Sequence, residues 1–438
     1  MNDLNRREWD DADIMTHSDL VLRPDPSRTV IRPFMPGDPP CYDKAHPRVQ
    51  RITDRILGLG QAQLDRCVEG LTLVLGDRHT GLEELLLRRF DEIGSLLVDS
   101  APATHEQKLV IGAYFSEEYS FEAAALFNPS ILPRRDDPLL PDGGVRFALS
   151  LRGIGEGHIS SVTFRTGSWS PERGFAVDPP SNHGITPFIE TADDDDDDET
   201  VTLSAAYSED LSELVLFPVT DSQRQGIEDM RLVWFADEDG KHELYGTYTA
   251  YDGRNARSEM MHGTDPGSFS MRPLKGAFAG SKGMALFPRK IDGRYRMLGR
   301  QDNENIWLLE SDDIYCWDHG AKLMSPEYAW EFVQIGNCGS PIEIDEGWLL
   351  LTHGVGLARS YCIGACLLDR DDPSKVLARM NTPLLRPGLK TRDGYVPNVV
   401  YSCGGMVHER MLLLPYGIAD TLTSFASVPI DTLLAAMG

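Results

Sequence analysis

The stretch Gly226-Ile-Glu-Asp-Met-Arg231 runs into Leu232-Val-Trp-Phe235 and is followed by Tyr245-Gly-Thr-Tyr-Thr-Ala-Tyr-Asp252. Two adjacent carboxylates, Glu228 and Asp229, therefore stand just before an arginine at the head of an apolar β-type run. A strand start holds a carboxylate still, because the ladder fixes the backbone and only the side chain remains to be placed. A neighbouring guanidinium favours the charged carboxylate, whereas burial favours the neutral one. A turn with a surface ion pair would satisfy the same string.

Working outward, turn-plus-strand openings of this kind recur at Asn128-Pro-Ser, Glu228-Asp-Met-Arg, Lys282-Gly-Met, Asn337-Cys-Gly-Ser-Pro and Asn398-Val-Val. Their starts are separated by 100, 54, 55 and 61 residues. The last three intervals are close to the length of one four-stranded propeller blade, and the first has room for a blade with insertions. Five openings predict an all-β, five-bladed β-propeller whose inner strands bring sequence-distant polar clusters to one end of the axis. Short β-branched and aromatic runs alternate with Gly, Asp, Asn and Pro turns beyond Tyr114, as this reading requires.

Before that point the pattern differs. Residues 1–48 are polar and contain proline, and read as an extended N-terminal arm. Residues 49–105 carry apolar positions near helical spacing, including Ile52, Ile56, Leu82, Leu85, Phe90 and Ile93, and predict a helical extension. Residues 106–438 form the expected catalytic domain, closed by a short helix after Pro429. Asp193 to Glu199 is a run of seven acids that reads as a solvated loop.

With 42 basic and 68 acidic residues, the formal charge is −26, which disfavours nucleic acid and anionic membranes as partners. Any bound anion needs a local basic pocket. The N-terminal residues show no signal peptide and no run has the length of a membrane span, so a cytoplasmic location is expected. The seven scattered cysteines fit reduced structural thiols better than a zinc site. No phosphate loop, nucleophile elbow or zincin motif is present, and neither a metal nor an organic cofactor is expected.

Several polar residues end apolar runs. Arg152 closes Phe147-Ala-Leu-Ser-Leu151 and needs an acid, an anion or a sugar hydroxyl if buried. His158, in Gly155-Glu-Gly-His-Ile-Ser160, could equally be a satisfied core histidine. Lys282 and Arg300 stand 18 residues apart, suited to a strand–turn–strand return, with Asp302 and Glu304 directly after. Glu343, His353 and Tyr361 follow. Cations and a phenol at strand ends are what an inorganic phosphate pocket requires, although each alone is more readily structural.

These residues, together with Phe287-Pro-Arg-Lys-Ile291, Gly347-Trp-Leu-Leu-Leu-Thr-His-Gly354, Gly394-Tyr-Val-Pro-Asn-Val-Val400 and Tyr416-Gly-Ile-Ala-Asp420, resemble glycoside hydrolase family 130, from about residue 115 to 425. That family comprises β-mannoside phosphorylases and related β-mannosidases. The resemblance implies a five-bladed propeller and inversion at a terminal β-mannosyl unit. It implies that Asp229 is the general acid, its proton passing through a mannose hydroxyl, and that Asn128, Ser130, Arg152 and Asp420 hold the mannose. Lys282, Arg300, His353 and Tyr361 would hold phosphate, the co-substrate. One position departs from the pattern: where phosphorylases commonly carry Lys, this chain has Glu343. Inverting hydrolysis needs a second carboxylate as base and phosphorolysis does not, so Glu343 or Glu304 would serve a hydrolase. The expected activity is phosphorolysis to α-mannose 1-phosphate and a shortened acceptor. The alternatives are an inverting β-mannosidase and a non-catalytic carbohydrate-binding propeller. Linkage, acceptor and any homo-oligomer stay open.

Overall fold

The structure is a computed structural model that describes residues 14–38, 46–98, 102–135, 137–138, 140–190, 199–205, 208, 210–265, 267–388 and 394–437. The acid run at 193–198, the first thirteen residues and Cys41 lie outside them. The chain divides into two compact units.

The smaller unit comprises Pro26–Phe121 and Ser181–Thr186. It contains helices Arg48–Leu57, Gln61–Leu75, Leu82–Gly94 and His105–Tyr114, so the last helix begins where the sequence pattern suggested the helical extension would end. That helix is started by Thr104, whose hydroxyl accepts from the Gln107 amide while Gln107 Oε1 accepts from the Thr104 amide. Val49, Ile56, Leu64, Ile93, Val110, Ile111 and Phe115 form its core. Gly112 lies so close to Leu86 that a Cβ there would stand 2.0 Å from the Leu86 carbonyl oxygen, which fixes the helix crossing. Thr29–Pro33 and Ser116–Ser120 pair antiparallel beside these helices, Val30 opposite Tyr119.

The larger unit is mostly β. Its described strands run in antiparallel meanders, the first two of them joined in one sheet where Gly226 pairs with Ser160. The first runs through Ala125–Pro133, Val145–Ile154, Ser160–Ser170 and Gly174–Val177, and the second through Gly226–Ala236, His242–Tyr251, Ala256–Asp265 and Ser268–Pro273. The third uses Ala285–Leu286, Tyr295–Gly299, Ile306–Ser311 and His319–Met324, and the fourth Gln334–Asn337, Gly347–Val355, Tyr361–Leu368 and Val376–Arg379. The fifth joins Val400–Tyr401, Met411–Ile418 and Leu422–Pro429 to Thr16–Leu22, so part of the expected N-terminal arm is an edge strand. A short helix, Ile430–Ala435, ends the chain.

Strand pleating explains how these meanders bury their faces. Alternate residues point to opposite sides, and Gly347–Val355 is buried along its whole length. Its Trp348 and Leu350 pack with Phe287, Leu298 and Ile306 of the third meander, while Leu349 and Leu351 pack with Leu412, Leu414 and Ala426 of the fifth. Similar clusters join the first meander to the second through Phe164 and Ile227, and the second to the third through Phe235 and Met297. Phe147 and Leu149 of the first pack with Leu413 and Phe425 of the fifth. Hydrogen bonds between the first strands reinforce these contacts: Leu232 N to Ser130 Oγ (3.1 Å), Asn337 Nδ2 to Gly283 O (2.8 Å) and Cys403 N to Pro129 O (2.8 Å). No disulfide joins the described cysteines.

Trp348 is fully buried, packs edge-on to Phe287 at 5.1 Å and donates to the Arg370 carbonyl. Trp348→Ala is expected to destabilise the β unit by about 3–5 kcal/mol in urea unfolding. Leu73→Ala, at a position 83% exposed, should cost no more than about 0.5 kcal/mol.

Candidate active site

Three acidic or amide residues have left-handed backbones, Asn128 (φ 49°) and Asp229 (φ 54°) within strands and Asp420 (φ 49°) in the turn after Met411–Ile418. Asn and Asp tolerate this region better than other non-glycine residues. At the first two the ladder slips, between Phe127 and Ser130 and between Glu228 and Arg231, so each bulge re-aims one polar side chain. The re-aimed pair meets: Asn128 Nδ2 donates to Asp229 Oδ1 at 2.7 Å.

Arg152 gathers the rest of this group. Its Nη1 lies 3.3 Å from Asp229 Oδ1, its Nη2 2.7 Å from Glu228 Oε1, and its Nε donates to Ser160 Oγ at 2.9 Å. Glu228 Oε2 in turn faces Lys282 Nζ at 3.4 Å. Thus Glu228 bridges a cation expected to hold sugar and one expected to hold phosphate.

A second group forms around His353, which is completely buried. Its Nε2 stands 3.3 Å from Arg300 Nη1, and its ring stacks with Tyr361 at 6.1 Å and meets Tyr401 edge-on at 4.9 Å. With its amide turned to satisfy both neighbours, Gln334 accepts from Arg300 Nη1 at 2.7 Å. Two glycines make room here. A Cβ on Gly336 would lie 2.4 Å from His353 Cε1 and 2.5 Å from Arg300 Cδ, and one on Gly283 would lie 2.7 Å from Arg300 Nε. Arg300 Nε and His353 Nδ1 are buried without a hydrogen-bond partner, as is Asn128 Oδ1.

Arg231 connects the groups. Its guanidinium, 1% exposed, donates to the Asp229 carbonyl and the Cys338 carbonyl at 2.9 Å and to the Tyr401 hydroxyl at 2.8 Å.

These charges set the protonation states. Burial pushes Asp229 up, but Arg152, Arg231, the Asn128 amide and Lys282 together hold its carboxyl below the usual range. Burial and the charge of Asp229 push Asp420 up to about 6, against the pull of Arg152 and Arg359. Burial, then Arg300 and Arg231, drive His353 well below its ordinary value, so its imidazole is neutral.

Not every residue singled out in the sequence joins the site. Ser130 is 1% exposed and its Oγ accepts from the Leu232 amide, a tie between strands. Glu343 pairs with Arg289 at 2.7 Å, and lies opposite Trp348 at the far end of Gly347–Val355 from His353. Five residues of strand separate Trp348 from His353, roughly 17 Å. Glu304 is exposed on the turn after Arg300, its amide bonded to Asp302. Tyr401 was missed: nothing in Val400-Tyr401 distinguishes it from a buried aromatic. The structural part of Arg231 was also missed, since only contact with a third strand exposes it.

The site thus holds a carboxylate between an amide and guanidinia, beside a separate cation–imidazole–phenol group. The chain belongs to glycoside hydrolase family 130, whose profile, described as beta-1,4-mannooligosaccharide phosphorylase, matches residues 204–438, more than half of it. It is 36% identical over 220 residues to a 1,2-beta-oligomannan phosphorylase of Thermoanaerobacter sp. (strain X514), covering 49% of this chain and 72% of the relative. A beta-1,2-mannobiose phosphorylase of Listeria innocua is 31% identical, covering 50% of this chain and 62% of the relative. The solved structure of a beta-1,2-mannobiose phosphorylase from Listeria innocua superposes with a TM-score of 0.51 at 20% identity, over 73% of this chain and 93% of that one, a likeness of fold.

Asp420 supplies a pH test. Its folded-state value of about 6 stands above the ordinary 3.8, so the folded protein keeps this proton after the unfolded chain has released it. Its contribution to stability is full below the ordinary value and is lost as pH rises to the folded one, by roughly 3 kcal/mol in all. Asp420→Asn should remove that loss, measured by urea unfolding from pH 4 to 8. Asp229→Asn should lower the Asp420 midpoint in a carbon-13 carboxyl titration while leaving it above the ordinary value.

Proposed function

We propose that this protein is an inverting β-mannoside phosphorylase built on a five-bladed β-propeller. The ring-wise sequence of core clusters, each shared by neighbouring meanders and the last shared by the fifth and first, supports the propeller. The activity rests chiefly on one observation: Glu228 ties Arg152, which also grips Asp229, to Lys282 within 2.7–3.4 Å. Sugar-binding and anion-binding cations thereby lie on either side of one acid. The family and the phosphorylases among its relatives support the same reaction.

In this reading a terminal β-mannosyl ring is held by Asn128, Arg152 and Asp420. Phosphate is held by Lys282, Arg300, His353 and Tyr361, and one of its oxygens attacks C1 from the face opposite the leaving group. The C1–O bond breaks with inversion, giving α-mannose 1-phosphate. The departing oxygen takes a proton that originates on Asp229 and passes through a mannose hydroxyl. The free enzyme holds Asp229 ionised, so the proton must be acquired on binding. Phosphate provides for this, because a dianion beside Lys282 offsets the cations that depress Asp229. The neutral His353 adds a hydrogen bond without a second desolvated charge. Glu343, engaged with Arg289 and remote from His353, is poorly placed to activate water, which weighs against hydrolysis. A cytoplasmic location belongs to the same proposal, since phosphorolysis keeps the bond energy in a sugar phosphate the cell retains.

The test is product analysis on β-1,2- and β-1,4-mannobiose with and without about 10 mM phosphate, a concentration above most KM values. Mannose 1-phosphate formed only with phosphate is expected; free mannose at equal rates in both buffers would establish a hydrolase instead. Asp229→Asn should lower kcat by about 10²–10⁴-fold. Lys282→Ala and Arg300→Ala should raise the phosphate KM by about tenfold or more, as loss of a charge-assisted contact implies. Glu343→Gln should leave both constants near wild type.

A further inference from the structure

Tyr395 is 63% exposed. Its ring lies 5.3 Å from that of His158, tilted by 31°. His158 is also exposed, and has a left-handed backbone (φ 57°) at the end of the turn Glu156–His158. We propose that the His158–Tyr395 pair is a stacking platform for the second pyranose ring of the substrate, the ring released as acceptor. The inference rests on the phosphorylase reading and extends it to the other side of the cleaved bond.

Each half of the pair is anchored beside a residue assigned to sugar binding. The Tyr395 amide donates to Thr421 Oγ1 at 2.9 Å and the Val396 amide to the Ala419 carbonyl at 3.0 Å, gripping the chain on both sides of Asp420. Gly394 completes the grip, since a Cβ there would lie 2.4 Å from that of Ala419. On the other half, Gln225 Nε2 donates to the Gly157 carbonyl at 2.9 Å, which fixes the turn that carries His158. That turn leads into Ser160, whose hydroxyl accepts from Arg152. The rings therefore stand on the turn that follows the Arg152 strand and on a segment bonded to the turn that carries Asp420.

The turn has a counterpart that points to a ligand-facing rim. In the fourth meander Gly356 (φ −118°, ψ −149°), Ala358 (φ 52°) and Arg359 (φ 55°) repeat Gly155 (φ −117°, ψ −154°), Gly157 (φ 70°) and His158 (φ 57°). The offset is 201 residues, the same as that between Arg152 and His353. Beside the group assigned to phosphate, the turn ends in a cation lying 5.9 Å from the centre of the Tyr361 ring. Beside the group assigned to sugar, it ends in an aromatic ring paired with another. A pyranose presents a C–H face that an aromatic surface shields from water without demanding a hydrogen bond.

The reverse reaction isolates this subsite, because mannose 1-phosphate and acceptor are then varied separately. Tyr395→Ala and His158→Ala are expected to raise the acceptor KM about 5- to 10-fold, a stacking contact's usual worth. The KM for mannose 1-phosphate should stay within about twofold, and Tyr395→Trp should restore the acceptor KM. An acceptor KM unchanged in both alanine variants, or both constants shifted alike, would overturn the platform while leaving the phosphorylase in place. Failure of the wild-type enzyme to consume mannose 1-phosphate with any mannosyl acceptor would overturn the phosphorylase reading and the platform with it.

Discussion

Arg231 is a guanidinium with 1% of its surface exposed, and the site is arranged around the need to satisfy it. A buried cation costs several kcal/mol unless its donors are met and an opposite charge stands near. Here the donors are met by carbonyls of Asp229 and Cys338 and by the Tyr401 hydroxyl, which come from the second, fourth and fifth meanders. The charge is answered by Asp229 itself, two residues away on the same strand. One side chain thus ties segments of three meanders together, helps to keep an acid ionised, and holds the phenol that braces His353. Replacing it by a smaller group would leave three polar atoms of three different strands without a partner.

The same need for compensation distributes charge through the site. Glu228 stands between Arg152 and Lys282, so two cations that would repel one another share an acid. His353 escapes the problem by losing its proton, under burial and the fields of Arg300 and Arg231. Asp420, beside the ionised Asp229, holds its proton up to about pH 6. Neighbouring carboxyls whose surroundings drive their proton affinities apart are a recurrent preparation for acid–base chemistry. In a protein of charge −26, Lys282, Arg300 and Arg231 still make this site locally cationic, and the local balance is what is felt across a few ångströms.

Much of this was legible in the sequence because strand ends are marked by polar residues closing apolar runs. Asn128, Arg152, Asp229, Lys282, Arg300 and His353 all end or begin such runs, and the mostly β character follows from their spacing. Ser130 carries the same mark for a different reason: its hydroxyl satisfies the Leu232 amide of the neighbouring meander, a backbone need that spacing does not reveal. Tyr401 was illegible because its role depends on a guanidinium 170 residues away. Thr16–Leu22 was illegible as a strand because its partner, Leu422–Pro429, lies at the opposite end of the chain.

Glu343 shows how strand geometry decides a chemical question that residue type leaves open. As a carboxylate in place of a lysine, it changes the charge expected near phosphate, and charge alone would favour a hydrolase. Its strand partner, however, is Trp348, and the strand rises about 3.4 Å for each residue between Trp348 and His353. Arg289, lying over the Trp348 ring at 4.9 Å, forms a forked pair with Glu343 and accounts for it structurally. The acid is therefore consumed where it stands, and the group of Lys282, Arg300 and neutral His353 receives no carboxylate from that loop. Attack by phosphate needs no base, and Ile342–Ile344 brings no acid to His353, an arrangement suited to phosphorolysis.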